Sequence, residues 1–139
     1  MEAKEVQTLL EELFPDSHQD VQVESVGGGG ARVRLRVQSR HLRPGQTVSG
    51  PAIMALADTA MYVALLGELS PVNEAITGAV TVSLSINFLR RPPQVDLIAD
   101  AKLLKVGRRL AFGEISIAER DKPDSPVAHA TVSYALPAA

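Results

Sequence analysis

A chain of 139 residues that is 45% hydrophobic fits one domain, residues 1–139, with enough apolar material for a sizeable core, and is too short for a repeat array or a multidomain enzyme. Its 14 Lys+Arg against 16 Asp+Glu leave a formal net charge of −2, so there is no general attraction to a polyanion, and a nucleic-acid partner is not expected. Cysteine is absent, which removes disulfides, thiolate metal sites and cysteine nucleophiles, and aromatics at 4% with no Trp argue against base-stacking or sugar-stacking platforms.

The first segment alternates Val6, Leu9, Leu10, Leu13 and Phe14 at helical spacing before Pro15, which predicts a short amphipathic helix. Glu2, Glu5, Glu11 and Glu12 make it unlike a signal peptide, and a cytoplasmic protein is expected. Val21, Val23 and Val26, then Gly27 to Gly30, then Val33, Leu35 and Val37 alternating with arginines predict two strands joined by a glycine turn. The glycines lack the Lys-Ser/Thr ending and following helix of a phosphate loop. His41 to Ser49, with Pro44-Gly45, reads as a loop.

Pro51 opens a helix expected to run to about Gly67, because proline suits a first turn whose N–H groups lack intrahelical acceptors. Its apolar residues fall on almost every face, which predicts a helix buried all round. The apolar stretch from Ala52 to Leu66 is shorter than the roughly 20 residues that span a bilayer and is interrupted by Asp58, so no membrane helix is expected. Ile76 to Phe88 alternates without a slip and predicts a long strand with one apolar face. Residues 96–106, 109–119 and 126–136 supply three more strands. The order helix, two strands, central helix, four strands predicts an α+β fold in which an antiparallel sheet curls around the helix.

Asp58 is the most informative residue. An acid inside an apolar helix must be paired, hydrogen-bonded, protonated or facing a cleft, and no second buried acid is evident to compete with it. It is either a structural acid bonded to a facing Ser or Thr, or a carboxylate poised as base or nucleophile. The helix start Ser49-Gly50-Pro51 offers the Gly50 N–H to an anion or developing oxyanion, or is simply a cap. Eight residues at 1.5 Å each separate Gly50 and Asp58 by roughly 12 Å along the axis. If they act on one carbonyl, Gly50 of one subunit must meet Asp58 of another.

The runs Ser49-Gly50-Pro51-Ala52-Ile53-Met54-Ala55-Leu56-Ala57-Asp58-Thr59-Ala60, Ala79 to Arg90, and Gly107-Arg108-Arg109 resemble the hotdog-fold acyl-CoA thioesterases of the PaaI-like, phenylacetate-degradation group. The resemblance covers about residues 35 to 136. It implies a hotdog fold, homodimers that often pair into tetramers, and hydrolysis of an aryl- or medium-chain acyl-CoA to free acid and CoA with no metal or other cofactor. Residue by residue, it implies that Asp58 is the catalytic acid, that the Gly50 N–H polarises the thioester carbonyl, and that Thr81 positions the acid or water. Arg90, Arg91, Arg108 and Arg109 are candidates for the CoA phosphates, since guanidinium forks suit phosphate oxygens; the alternative is solvated charge at strand ends.

Many members of the group have His-Gly-Gly where this chain has Ser49-Gly50-Pro51, and an upstream Asn or Gln that holds the thioester. Here the loop offers His41, Arg43 and Gln46. His18 and His129 have no acidic partner at metal-ligand spacing, so no metal is expected. A noncatalytic acyl-CoA or small-ligand binding protein is the alternative from another class. A dehydratase would want a His beside the central helix, where none stands.

Overall fold

The computed structural model describes residues 1–15, 20–69 and 74–137. Helix α1, Ala3–Leu13, turns Val6 and Leu10 into the core, as its spacing predicts. Strands β1 (Val21–Gly27) and β2 (Gly30–Leu35) pair antiparallel through Gly28-Gly29. Both turn residues have left-handed φ, 61° and 78°, the geometry of a two-residue hairpin that glycine adopts without a Cβ penalty.

The expected loop before the central helix is more ordered than its composition suggests. A single 3-10 turn, Ser39–His41, leads into a small hairpin of β3 (Leu42–Arg43) and β4 (Thr47–Val48). Val48 N–H donates to Pro92 O at 2.9 Å, which ties this hairpin to the segment after strand β5, Val80–Phe88.

Helix α2 spans Gly50–Glu68, with Ser49 Oγ capping it by accepting from Ala52 N at 3.3 Å. Strands β6 (Leu97–Val106), β7 (Leu110–Glu119) and β8 (Pro126–Ala135) join the others in one antiparallel sheet of order β1-β2-β6-β7-β8-β5. The sheet packs its concave face on α2, whose Leu56, Met61, Leu65 and Leu66 are fully buried. This is the expected hotdog architecture, built around α2, which among the described residues is the one helix long and apolar enough to cross a membrane and here is the core helix.

Small inward residues let helix and sheet approach. A Cβ on Gly113 of β7 would stand 2.5 Å from Met61 Sδ and 3.2 Å from Lys102 O. Gly113→Ala is therefore expected to destabilise the protein by about 1–3 kcal/mol through overpacking, read as a lower denaturant midpoint; an unchanged midpoint would contradict this packing.

Three expectations are corrected. First, α2 is buried all round only in its C-terminal half: Pro51, Met54 and Ala55 are exposed, because among the described residues no strand covers that face. Second, the strand expected from Ile76 begins at Val80, and a helical turn, α3 (Glu74–Thr77), replaces its start; Ala79 N–H bonds back to Ile76 O in a turn. Third, the apolar face expected of this strand is left partly uncovered, with Val80 and Val82 60% and 59% exposed, because among the described residues β5 is an edge strand paired with β8 alone. The other edge, β1, is covered: the Gln7 side chain of α1 accepts from Val23 N–H at 2.7 Å and donates to Val21 O at 3.1 Å.

The strict alternation in β5 also breaks. Thr81 pairs with Tyr134 and Ser83 with Ser133, so Val82 is the extra residue of a β-bulge. Paired residues share a face, which puts Thr81 on the inner side with Leu84, Ile86 and Phe88 rather than on the outer side with Ser83, Ser85 and Asn87.

Candidate active site

The bulge aims Thr81 at α2. Its Oγ1 donates to Asp58 Oδ1 at 2.7 Å, and the Tyr134 hydroxyl donates to the same oxygen at 2.8 Å. Among the described residues no hydrogen bond reaches Asp58 Oδ2. One carboxylate oxygen is thus fixed by two donors while the other keeps its lone pairs for a ligand or water. Both donors sit on the inner face of adjacent strands, so the sheet register sets the carboxylate's orientation.

Tyr134 is 4% exposed, and burial, helped by the negative charge of Asp58, pushes its phenol above the ordinary value of 10.0. It stays a protonated donor throughout the neutral range. Tyr62, one turn along α2, is likewise raised by burial and donates to Thr77 O at 2.8 Å. Asp58, Thr59, Thr81 and Tyr134 border an open cleft of about 330 Å³, whose remaining walls are apolar side chains from α1, α2 and the start of β5. That volume is at the small end for a ligand site.

Gly50 lies at the other end of α2. Ser49 takes the Ala52 N–H, Pro51 has none, and among the described residues the Gly50 N–H has no acceptor. The Phe88 ring covers the glycine, with Cζ 3.4 Å from where a Cβ would be. In one protomer Gly50 sits by the Phe88 end of β5, and Asp58 by the Thr81 end.

The other sequence-selected residues divide by location. His41 builds the loop: its Nδ1 accepts from Gln38 N–H at 2.8 Å, its carbonyl accepts from Ser49 N–H at 2.8 Å, and Nε2 is 3.5 Å from Asp20. Burial, with the charge of Arg40 adding to it, lowers its pKa from the ordinary 6.5. The neutral ring is therefore the folded form, so its contribution is present above pH 6.5 and is lost as pH falls through the lower folded value. Stability should fall less between about pH 7 and about pH 5 in His41→Gln than in the parent, measured by denaturant unfolding. Arg43 and Gln46 are exposed on the β3–β4 turn, closed by Gln46 N–H to Arg43 O at 3.1 Å.

Arg90 is drawn inward. It pairs with Glu119, which at 6% exposure is the buried acid that the sequence did not reveal, and donates to Ser125 O at 3.0 and 3.3 Å. This guanidinium is engaged in anchoring the β7–β8 turn. Arg91 is exposed beside it, while Arg108 and Arg109 are exposed on the β6–β7 turn, at the Thr81 end of the sheet. His129 does have an acidic neighbour, Glu114 at 3.5 Å across the outer face of β7 and β8; His18 lies outside the described residues. Among the described residues, no three His, Asp or Glu side chains are placed to hold a metal ion.

Tyr134 went unrecognised in the sequence. The available signal was its place in the Val132, Tyr134 alternation of β8, where an inward phenol must find a hydrogen-bond partner.

A family model described as the thioesterase superfamily matches residues 45–135. The crystal structure of a candidate thioesterase of a Silicibacter species is 40% identical and superposes with a TM-score of 0.88, covering 99% of this chain and 92% of that one. A candidate esterase of Halobacterium salinarum is 32% identical over 100 residues, 70% of this chain and 64% of the relative, so the match spans less than two thirds of that protein. The fold is shared with a variant of the phenylacetic acid degradation protein PaaI of Thermus thermophilus, at 24% identity and a TM-score of 0.69 over 93% of this chain and 98% of that one. With the family model spanning most of the chain, and the sheet wrapped on α2 as the fold requires, this protein belongs to the thioesterase superfamily and has its hotdog fold.

Proposed function

We propose that the protein hydrolyses acyl-CoA thioesters in a site shared by two protomers, with Asp58 as the reactive carboxylate. The observation that carries this reading is the asymmetric hold on Asp58, Oδ1 bound by Thr81 and Tyr134 and Oδ2 left open. In the water route, Oδ2 takes a proton from water as the water oxygen bonds to the thioester carbon. The carbonyl oxygen gains negative charge, and the Gly50 N–H at the positive end of α2 stabilises it. The C–S bond then breaks, and the proton passes from Asp58 to the CoA thiolate. In the nucleophile route, Oδ2 attacks the carbon itself, the C–S bond breaks to release the CoA thiolate, and water hydrolyses the resulting anhydride to the free acid and the Asp58 carboxylate, its remaining proton going to the thiolate. Either route uses the same residues and no cofactor.

Gly50 and Asp58 of one protomer are too far apart to share a carbonyl. The uncovered nine-residue edge β5 supplies the remedy, since an exposed edge with apolar residues is a template for pairing with another chain. Antiparallel pairing of two β5 strands about a two-fold axis brings the Phe88 end of one to the Thr81 end of the other. It thereby brings Gly50 of one protomer to Asp58 of its partner, and covers the exposed Met54 and Ala55 face of α2. The same operation carries Arg91 of one protomer to the end where Arg108 and Arg109 of the other lie, which gives a divided basic set for the CoA phosphates. We assign it to the cytoplasm.

A second reading, a noncatalytic acyl-CoA binding protein, is favoured by the departure from the group's helix start at Ser49-Gly50-Pro51. Thiol release from a panel of acyl-CoA esters decides between them: release dependent on the protein is expected, and binding without release by the wild-type protein would overturn the hydrolase reading.

A further inference from the structure

The cleft beside Asp58 has a wall that no strand or catalytic residue requires. Leu10 and Phe14 of the α1 segment line it together with Tyr62 of α2. Three rings stand in series from the reactive carboxylate outward. Tyr134, which holds Asp58, lies 6.1 Å from Tyr62 between ring centroids, and Tyr62 meets Phe14 edge-on at 5.5 Å. Three of the chain's five aromatic residues thus border one small cleft, and Phe14 is the member farthest along the series from Asp58.

The elements that carry the wall are tied to the rest of the fold. Val6 and Leu10 are buried, the Gln7 amide is bonded to two backbone groups of β1, and Phe14 N–H closes the helix on Leu10 O at 2.9 Å. Tyr62 is held from the other side by its bond to Thr77 O. Phe14 itself is 41% exposed and lines the cleft, so it stands at the mouth.

We propose that Phe14 is the specificity-determining residue for the acyl group, an end wall that favours compact acyl groups and rejects long chains. This rests on the thioester-hydrolase reading of the Asp58 site. An acyl group whose carbonyl sits at Asp58 Oδ2 has its apolar part directed along Tyr62, and the Phe14 ring terminates that path about two ring spacings away. A longer chain must either displace the ring or emerge into water, and each outcome forfeits the burial that its extra methylenes would gain.

The test compares hexyl-CoA and dodecyl-CoA thioethers, which cannot be cleaved, for calorimetric binding to wild-type protein, Phe14→Ala and Phe14→Trp, alongside kcat/KM for hexanoyl-CoA and dodecanoyl-CoA. Phe14→Ala should shift the dodecyl-to-hexyl preference about tenfold toward the longer group, in both binding and kcat/KM, and Phe14→Trp should shift it the other way. Circular dichroism checks the fold, and Phe14→Leu, which keeps an apolar contact for helix docking, gives a smaller shift in the same direction should the alanine variant unfold. A preference unchanged across folded variants would overturn the proposal. Binding that follows these shifts without any hydrolysis would leave the wall standing and overturn the hydrolase reading instead. Absence of binding by either thioether would overturn the wall.

Discussion

Asp58→Asn should lower kcat for acyl-CoA hydrolysis by about 10²–10⁴-fold, the range expected for loss of a positioned general base, with little change in stability. The asparagine oxygen can still accept from Thr81 and Tyr134, so the hold on the side chain survives while the basic oxygen is replaced by a donor amide. The measurement is thiol release under single-substrate saturation, with denaturant unfolding as the control. Tyr134→Phe keeps the ring and removes one of the two donors on Oδ1, so it should reduce kcat more mildly and leave KM nearly unchanged. Undiminished turnover in Asp58→Asn would remove this carboxylate from the chemistry.

Gly50→Pro should reduce kcat by about 10²–10³-fold, the loss expected when one oxyanion donor is removed, while Gly50→Ala should retain most activity. The pair isolates the N–H group. Proline at this position deletes the donor, and the preceding Ser49 already has φ −72° and ψ 151°, the extended conformation that a residue before proline prefers. Alanine keeps the N–H, and its Cβ would meet the Phe88 ring at 3.4 Å, an ordinary contact. Equal activity in the two variants would show that the helix start only caps α2.

What the sequence discloses follows from which interactions are local. The course of α2 is legible because Pro51 marks its start and apolar residues fill its length, and Asp58 stands out because a charge within that run needs a reason. The hairpin at Gly28-Gly29 is legible for the same local reason. Thr81 is different. Alternation assigns it to the polar face of β5, and only the bulge at Val82 turns it inward, so the resemblance identified a residue that periodicity would have sent the wrong way. Tyr134, Glu119 and the engagement of Arg90 depend on partners far off in the chain, which a pattern of hydrophobic spacing does not encode. The buried-all-round reading of α2 failed at Met54 and Ala55 because hydropathy alone does not distinguish a face buried in its own fold from one the fold leaves uncovered. That failure is informative, since the uncovered face lies on the helix half that runs from Gly50 to Asp58.

The central claim is that Gly50 and Asp58 of one site belong to different protomers, and subunit complementation tests it most directly. Asp58→Asn and Gly50→Pro chains, each inactive alone, are unfolded together, refolded and assayed for thiol release. Random pairing into dimers makes half of them mixed, and each mixed dimer holds one site with both groups intact, so activity should return to about one quarter of the wild-type level. A mixture no more active than its parents, with mixed dimers confirmed by mass spectrometry, would contradict the shared site.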